Sequence, residues 1–245
     1  MNRIALALTC CLLTACSDPT LWTAAADEAP AFEGYAQEGR IVDAVTGEAL
    51  SFARVCEFGE AVACVHSDVE GRYRLAPLGA SAEVILEVAR PGYAQTLLPL
   101  RITRKNQLPT VELMPVGDWA ALADEAGHRA DPERGDVRFV LGHFVDAEWV
   151  RLPGAELVTE GDAGADVWYR GRKEARTGVL GEAVVWNADP GVFTYQVQYD
   201  PQPLLCGART GWQEGAAGLA LPVVAGWLTQ VQATCVVLDK ALPNG

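Results

Sequence analysis

The chain has 245 residues, half of them apolar, with 32 acidic residues against 19 basic ones and a formal net charge of −13. At roughly 100–200 residues per domain, that length suits one large domain or two small ones, and the apolar share excludes a disordered chain. The negative charge argues against nucleic-acid binding, which needs clustered lysine and arginine, and otherwise names no partner.

Residues 1–15 read as a secretory signal. Arg3 supplies the positive charge, and the apolar stretch 4–13 is too short to cross a bilayer as a helix. The ending Leu13-Thr14-Ala15-Cys16 resembles the lipobox of bacterial lipoproteins. That resemblance implies cleavage before Cys16 and acylation of Cys16, anchoring the chain in the membrane. Several acyl chains hold stably where one is marginal, each buried methylene contributing ~0.8 kcal/mol. Ser17, rather than an aspartate, follows the anchor, which implies the outer membrane. Residues 16–34 are small, acidic and without period, a flexible tether behind the lipid.

Cys10 and Cys11 leave with the signal and Cys16 carries lipid, so Cys56, Cys64, Cys206 and Cys235 remain. An even count in an oxidising compartment points to two disulfides, with three pairings possible. Locality favours Cys56–Cys64 and Cys206–Cys235. Zinc is the rival use of these thiols, but the mature chain has no CxxC, and His66 is the only histidine near a cysteine pair.

Residues 35–115 break into short segments in which apolar and polar residues alternate, the period of half-buried strands. They are 40–42, 53–56, 72–75, 83–89 and 110–113, separated by turn residues such as Asp43 to Gly47. No helical period intervenes, so an all-β sandwich is expected. Gly39-Arg40-Ile41-Val42-Asp43-Ala44-Val45-Thr46-Gly47-Glu48-Ala49-Leu50, then Ala53-Arg54-Val55, resembles the opening of the carboxypeptidase regulatory-like domain. The second signature of that family appears as Ser67-Asp68-Val69-Glu70-Gly71-Arg72-Tyr73-Arg74-Leu75, and a Gly-Tyr pair follows as Gly92-Tyr93. Ala49 stands where the family has proline and Phe52 where it has glycine. The resemblance implies a transthyretin-like β-sandwich and brings no peptidase activity.

Residues 116–134 form a linker with a short helix, capped by Asp118 and ending near Gly127. Residues 135–245 then resemble a degenerate second copy of the same domain, offset by about 100 residues. Its opening strand is 137–141, residues 152–157 and 177–183 match the two signatures loosely, and 193–199 alternates cleanly. The expected architecture is two tandem Ig-like or transthyretin-like β-sandwiches behind a lipoprotein signal peptide.

No catalytic constellation emerges. His66, His128 and His143 are scattered, and HExxH, P-loop, GxSxG and strand-following GxGxxG patterns are absent. No metal or cofactor is expected; the acidic loop 160–166 lacks EF-hand spacing and reads as a solvated hairpin loop. Five tryptophans crowd the second sandwich, and Trp168 and Trp212 are the candidates for ligand contact, Trp212 as the exposed one in a glycine-rich loop. The expectation is a non-enzymatic, lipid-anchored envelope protein that binds or scaffolds a protein partner. Carbohydrate or peptidoglycan binding is the alternative, and a secreted hydrolase is least favoured. Changing Cys16 to Ala should release the protein from the membrane fraction; detergent-dependent membrane association of that variant would contradict the lipid anchor.

Overall fold

Period-two alternation sends successive side chains to opposite faces, and in the computed structural model the apolar faces of this chain close on each other in two places. The structure describes residues 34–79, 82–103, 108–160, 165–170, 176–199, 202–213 and 218–236. Cys16, the tether before residue 34 and the centre of the acidic loop lie outside the described residues.

The first half contains β1 (Gly34–Tyr35), β2 (Glu38–Asp43), β3 (Arg54–Glu57), β4 (Glu60–His66) and β5 (Arg72–Arg74). β6 (Leu78–Gly79), β7 (Glu83–Ala89), β8 (Thr96–Arg101) and β9 (Val111–Leu113) follow, then α1 (Val116–Ala126). The second half contains β10 (Gly135–Val145), β11 (Glu148–Arg151), β12 (Glu156–Glu160), β13 (Asp166–Tyr169) and β14 (Glu182–Ala188). It ends with β15 (Gly191–Tyr199), β16 (Gln202–Ala208), β17 (Leu219–Val223) and β18 (Leu228–Val236).

In the first sandwich, sheet β5–β2–β9 faces β4–β3–β7–β8 across a core that includes Ile41, Val55, Tyr73, Leu86 and Leu100. In the second, β13–β14–β10–β18 faces β12–β15–β16 across Phe139, Leu141, Leu157, Tyr195 and Val231. The fold is all-β, two sandwiches in tandem with one helix between them.

The two halves share their wiring. β2 runs antiparallel to β5 and parallel to β9; β10 runs antiparallel to β14 and parallel to β18. A hydroxyl clamp recurs as well. Ser67 donates its Oγ–H to Leu50 O (2.6 Å) and accepts from Ala53 N (2.9 Å); Thr177 donates to Leu152 O (2.7 Å) and accepts from Ala155 N (2.9 Å). Gly71 and Gly181, both at positive φ, each accept from the first strand through Ile41 N and Leu141 N. A Cβ at either glycine would collide with the carbonyl of Ile41 or Leu141, so only glycine fits.

Both disulfides form in the locally favoured pairing. Cys56–Cys64 ties β3 to β4 at a register shift, and Cys206–Cys235 joins directly opposite residues of β16 and β18. A bridge of this kind contributes roughly 2–4 kcal/mol.

Two local expectations change. α1 begins two residues before Asp118 with Pro115 at its N-cap, so Asp118 is a first-turn acid that complements the helix dipole rather than a cap. Its end is as expected, with Gly127 in the left-handed region at φ 78°. β8, Thr-Leu-Leu-Pro-Leu-Arg, was not anticipated, because it has no alternation: its first five residues are all buried. It is an interior strand of the joined sheet, between β7 and β18. Leu228 and Thr229 of β18 pair in parallel with Thr96 and Leu97 of β8, and residues Glu33–Gly245 pack as one compact unit.

Phe52 occupies the turn position that Gly154 holds in the second sandwich, at φ 59° against 80°, and its side chain is 74% exposed. Left-handed backbone costs an L-residue roughly 1–2 kcal/mol, partly offset by the extra freedom glycine has when unfolded. Phe52→Gly should therefore stabilise the protein by about 0.5–1 kcal/mol in urea unfolding. A loss of stability would show that the Phe52 ring makes contacts worth more than its strain.

Candidate functional site

Each strand that sends one face into the second core sends the other outward. On the sheet β13–β14–β10–β18 that outer face is not left to solvent. Strand register places Arg138 beside Gln230 on β18 and Val184 on β14, and Trp168 also beside Val184. Helix α1 covers one end, with Leu122 and Ala123 against Val184 and Trp186, and Trp119 tilted against Trp186 at 4.5 Å between centroids. The first sandwich covers the middle through Glu112 of β9.

That middle holds a buried ion network. Arg138 and Glu182 each have side chains only 4% exposed and pair directly. Arg138 also reaches Glu112 at 3.1 Å, Arg170 reaches the second oxygen of Glu182 at 3.0 Å, and Arg151 lies 3.6 Å from Glu112. Burial works to raise the Glu182 pKa, but Arg138 and Arg170 outweigh it and hold the carboxyl below its ordinary value. Arg138 Nη1 and both amide atoms of the neighbouring Gln230 are buried without a partner. The network therefore fixes how the sandwiches meet at some cost in polar satisfaction.

Beyond Glu112 the two outer faces diverge into a cleft. Its first-sandwich part has a volume of about 970 Å³ and is lined by Arg40, Arg72, Arg74, His66, Glu38 and Asp68. Its second-sandwich part, about 490 Å³, is lined by Trp149, Arg151, Arg209, Gln232 and Glu112. Leu108 and Thr110 line both, so the two parts are neighbours. Five arginines thus face three carboxylates on a chain whose acids outnumber its bases 32 to 19.

Three of these arginines have no carboxylate partner among the described residues. Arg40 and Arg72 lie directly opposite each other on β2 and β5, a like-charge pairing that disfavours the sheet. Arg74 is matched by Glu38 at 3.0 Å, while Arg40 finds only the carbonyl of Glu70. Across the cleft, the indole of Trp149 lies flat on Gly142, where a Cβ would collide with it. The guanidiniums of Arg151 and Arg209 sit 5.2 and 4.6 Å from its ring centroid. Arg209 donates to Gln232 Oε1 at 3.2 Å. Burial lowers the Arg209 pKa, and repulsion from Arg151 lowers it further.

The expected ligand-contact tryptophans lie elsewhere. Trp168 packs into the cluster under α1. Trp212 is not the exposed residue its glycine-rich surroundings suggested: it is half-buried against the second core and donates its indole N–H to Ala220 O at 2.8 Å. A loop tryptophan with a free carbonyl nearby gains more by folding back than by facing water. Of the histidines, His66 lines the cleft, His128 stacks on Trp186 and His143 lies on β10. Among the described residues no three metal-ligating side chains cluster. The signal for the cleft was present in Arg40 and in the outward positions of Arg72-Tyr73-Arg74, but nothing in the sequence linked them to Trp149 and Arg209.

No protein-family model and no curated protein matches the chain. Among solved structures it is similar to a type II cohesin–X-dockerin complex from Acetivibrio cellulolyticus, at 14% identity over 33% of this chain and 56% of that one, TM-score 0.27. It is also similar to the Bacillus anthracis TIE protein, at 15% identity over 86% of this chain and 38% of that one, TM-score 0.28. The minor pilin GBS52 of Streptococcus agalactiae aligns at 8% identity over 86% of this chain and all of that one, TM-score 0.27. The chain thus spans 56% and 38% of the first two.

The ion network makes stability depend on pH in a defined direction. The folded pKa of Glu182 lies below its ordinary 4.5, so the network stabilises above about pH 4.5 and weakens as pH falls through the folded value. Glu182→Gln should cost about 3 kcal/mol at neutral pH, as for one broken partner of a buried pair. The gap to the unaltered protein should close as unfolding is measured at pH values below 4.5. A gap independent of pH would mean that Glu182 acts by packing alone.

Proposed function

We propose that the chain is a lipid-anchored, non-enzymatic binding module of the bacterial cell envelope, held through Cys16 in the outer membrane and working through the cleft between its sandwiches. The observation that carries this reading is the convergence of Arg40, Arg72 and Arg209, all without carboxylate partners among the described residues, on neighbouring cavities of a strongly acidic protein. Unpaired guanidiniums placed together are disfavoured unless an anion offsets them. Guanidiniums also hold their protons at any physiological pH, so a cleft walled by them recognises a ligand rather than exchanging protons with it.

The leader and the Leu13–Cys16 box support the anchor, and the tether would give the cleft some reach from the membrane surface. The partner on this reading is an anionic envelope component, a protein or a glycan.

A photo-crosslinking residue at Thr110, on the cleft floor, should capture an envelope component in intact cells. The same residue at Val192, exposed on β15 of the other sheet, should capture none. Capture from position 192 alone would move the binding face away from the cleft.

A further inference from the structure

We infer that the cleft takes an acidic polysaccharide, a chain of sugar rings bearing carboxylates; this rests on the reading of the cleft as the binding face. The guanidiniums are spread over two neighbouring cavities that share Leu108 and Thr110, so a single small anion would leave most of them unmatched. A chain with repeated charges matches them together.

The arginines are also prepared for carboxylates. Arg151 and Arg209 are held against the Trp149 indole, which limits their rotation; Arg151 keeps its contact with Glu112 and Arg209 gives Nη1 to Gln232, and their remaining N–H groups are placed to meet a carboxylate. The Thr110 hydroxyl and the His66 ring add hydrogen-bonding groups suited to sugar hydroxyls. A peptide would call for different walls. Peptide recognition takes apolar side-chain pockets or a free strand edge, whereas the walls here are mostly charged and polar side chains, and of the two edge strands at the cleft β5 is only three residues long and carries Arg72 and Arg74 while β4 reaches it only through its last residues, Val65 and His66. The protein's overall charge of −13 repels polyanions at a distance, so attraction has to be local to the cleft, and substitutions there should be felt strongly.

The test uses the full mature protein, titrated with oligogalacturonate, with the same oligosaccharide after carboxyl reduction, and with poly-L-glutamate. Saturable binding is expected for oligogalacturonate, with little for its reduced form and weaker binding for poly-L-glutamate. Arg72→Gln and Arg209→Gln, both at exposed positions, should each weaken binding roughly tenfold, the size of one lost charge-assisted contact. Thermal melting should show both variants folded. Equal binding of the reduced oligosaccharide would overturn the role of the carboxylates. Tighter binding of poly-L-glutamate would overturn the glycan in favour of an acidic peptide. No binding of any probe, with capture from position 110 still seen in cells, would refute this ligand class while the cleft stands as the binding face. Loss of both would remove the cleft as well.

Discussion

Strand β18 has no free edge where the two sandwiches meet. It runs parallel to β10 along most of its length, is locked to β16 by Cys206–Cys235, and at its start pairs in parallel with β8 of the first sandwich. An unpaired backbone N–H or carbonyl buried in that junction would cost as much as a lost hydrogen bond, and the shared strand removes the problem by making one sheet of two. Side chains follow the same course. Thr210 donates to Pro99 O at 2.7 Å and Gln232 to Thr110 O at 3.0 Å, each crossing from the second sandwich to the first.

Fusing the sandwiches in this way forces an outer sheet face inward, and the character of the junction follows. Positions that would face water in an isolated sandwich, Arg138, Glu182 and Gln230, become buried. They are polar because they belong to the outward register of their strands, and they survive burial because opposite charges meet there. Where the faces part, the same outward register leaves arginines lining a cleft with too few carboxylates to match them. The junction and the cleft are therefore two parts of one surface, distinguished by how closely the first sandwich approaches.

Much of this fold was legible in the residues. Alternation located β2, β7, β15 and β18, and the turn glycines Gly71 and Gly181 marked the same point in both copies because no other residue fits beneath the carbonyl they face. Cysteine proximity predicted both bridges. What escaped was the apolar run of β8, which lacks alternation since both its faces are covered, and the position of Trp212, whose loop suggested exposure. Of the tryptophans of the second half, Trp168 and Trp212 were the expected ligand contacts. Trp186 is core, with Trp168 packed beside it in a third apolar cluster between α1 and the sheet, and Trp149 supports two arginines.

The sequence by itself determined the all-β class, the repeat of about one hundred residues, the disulfide partners and the helix between the halves. Each of these rests on local chemistry: a two-residue period, a glycine-only turn, thiols a short loop apart, a helix stopped by Gly127. Tertiary structure alone decided that the sandwiches share a sheet, which outward-facing residues are buried, and that Arg40 and Arg72 line a cavity next to the one lined by Arg209. Those outcomes depend on which of two equivalent faces meets a neighbour far away in the chain. Alternation says that a strand has two faces; only the packing of one sandwich against the other says what covers each.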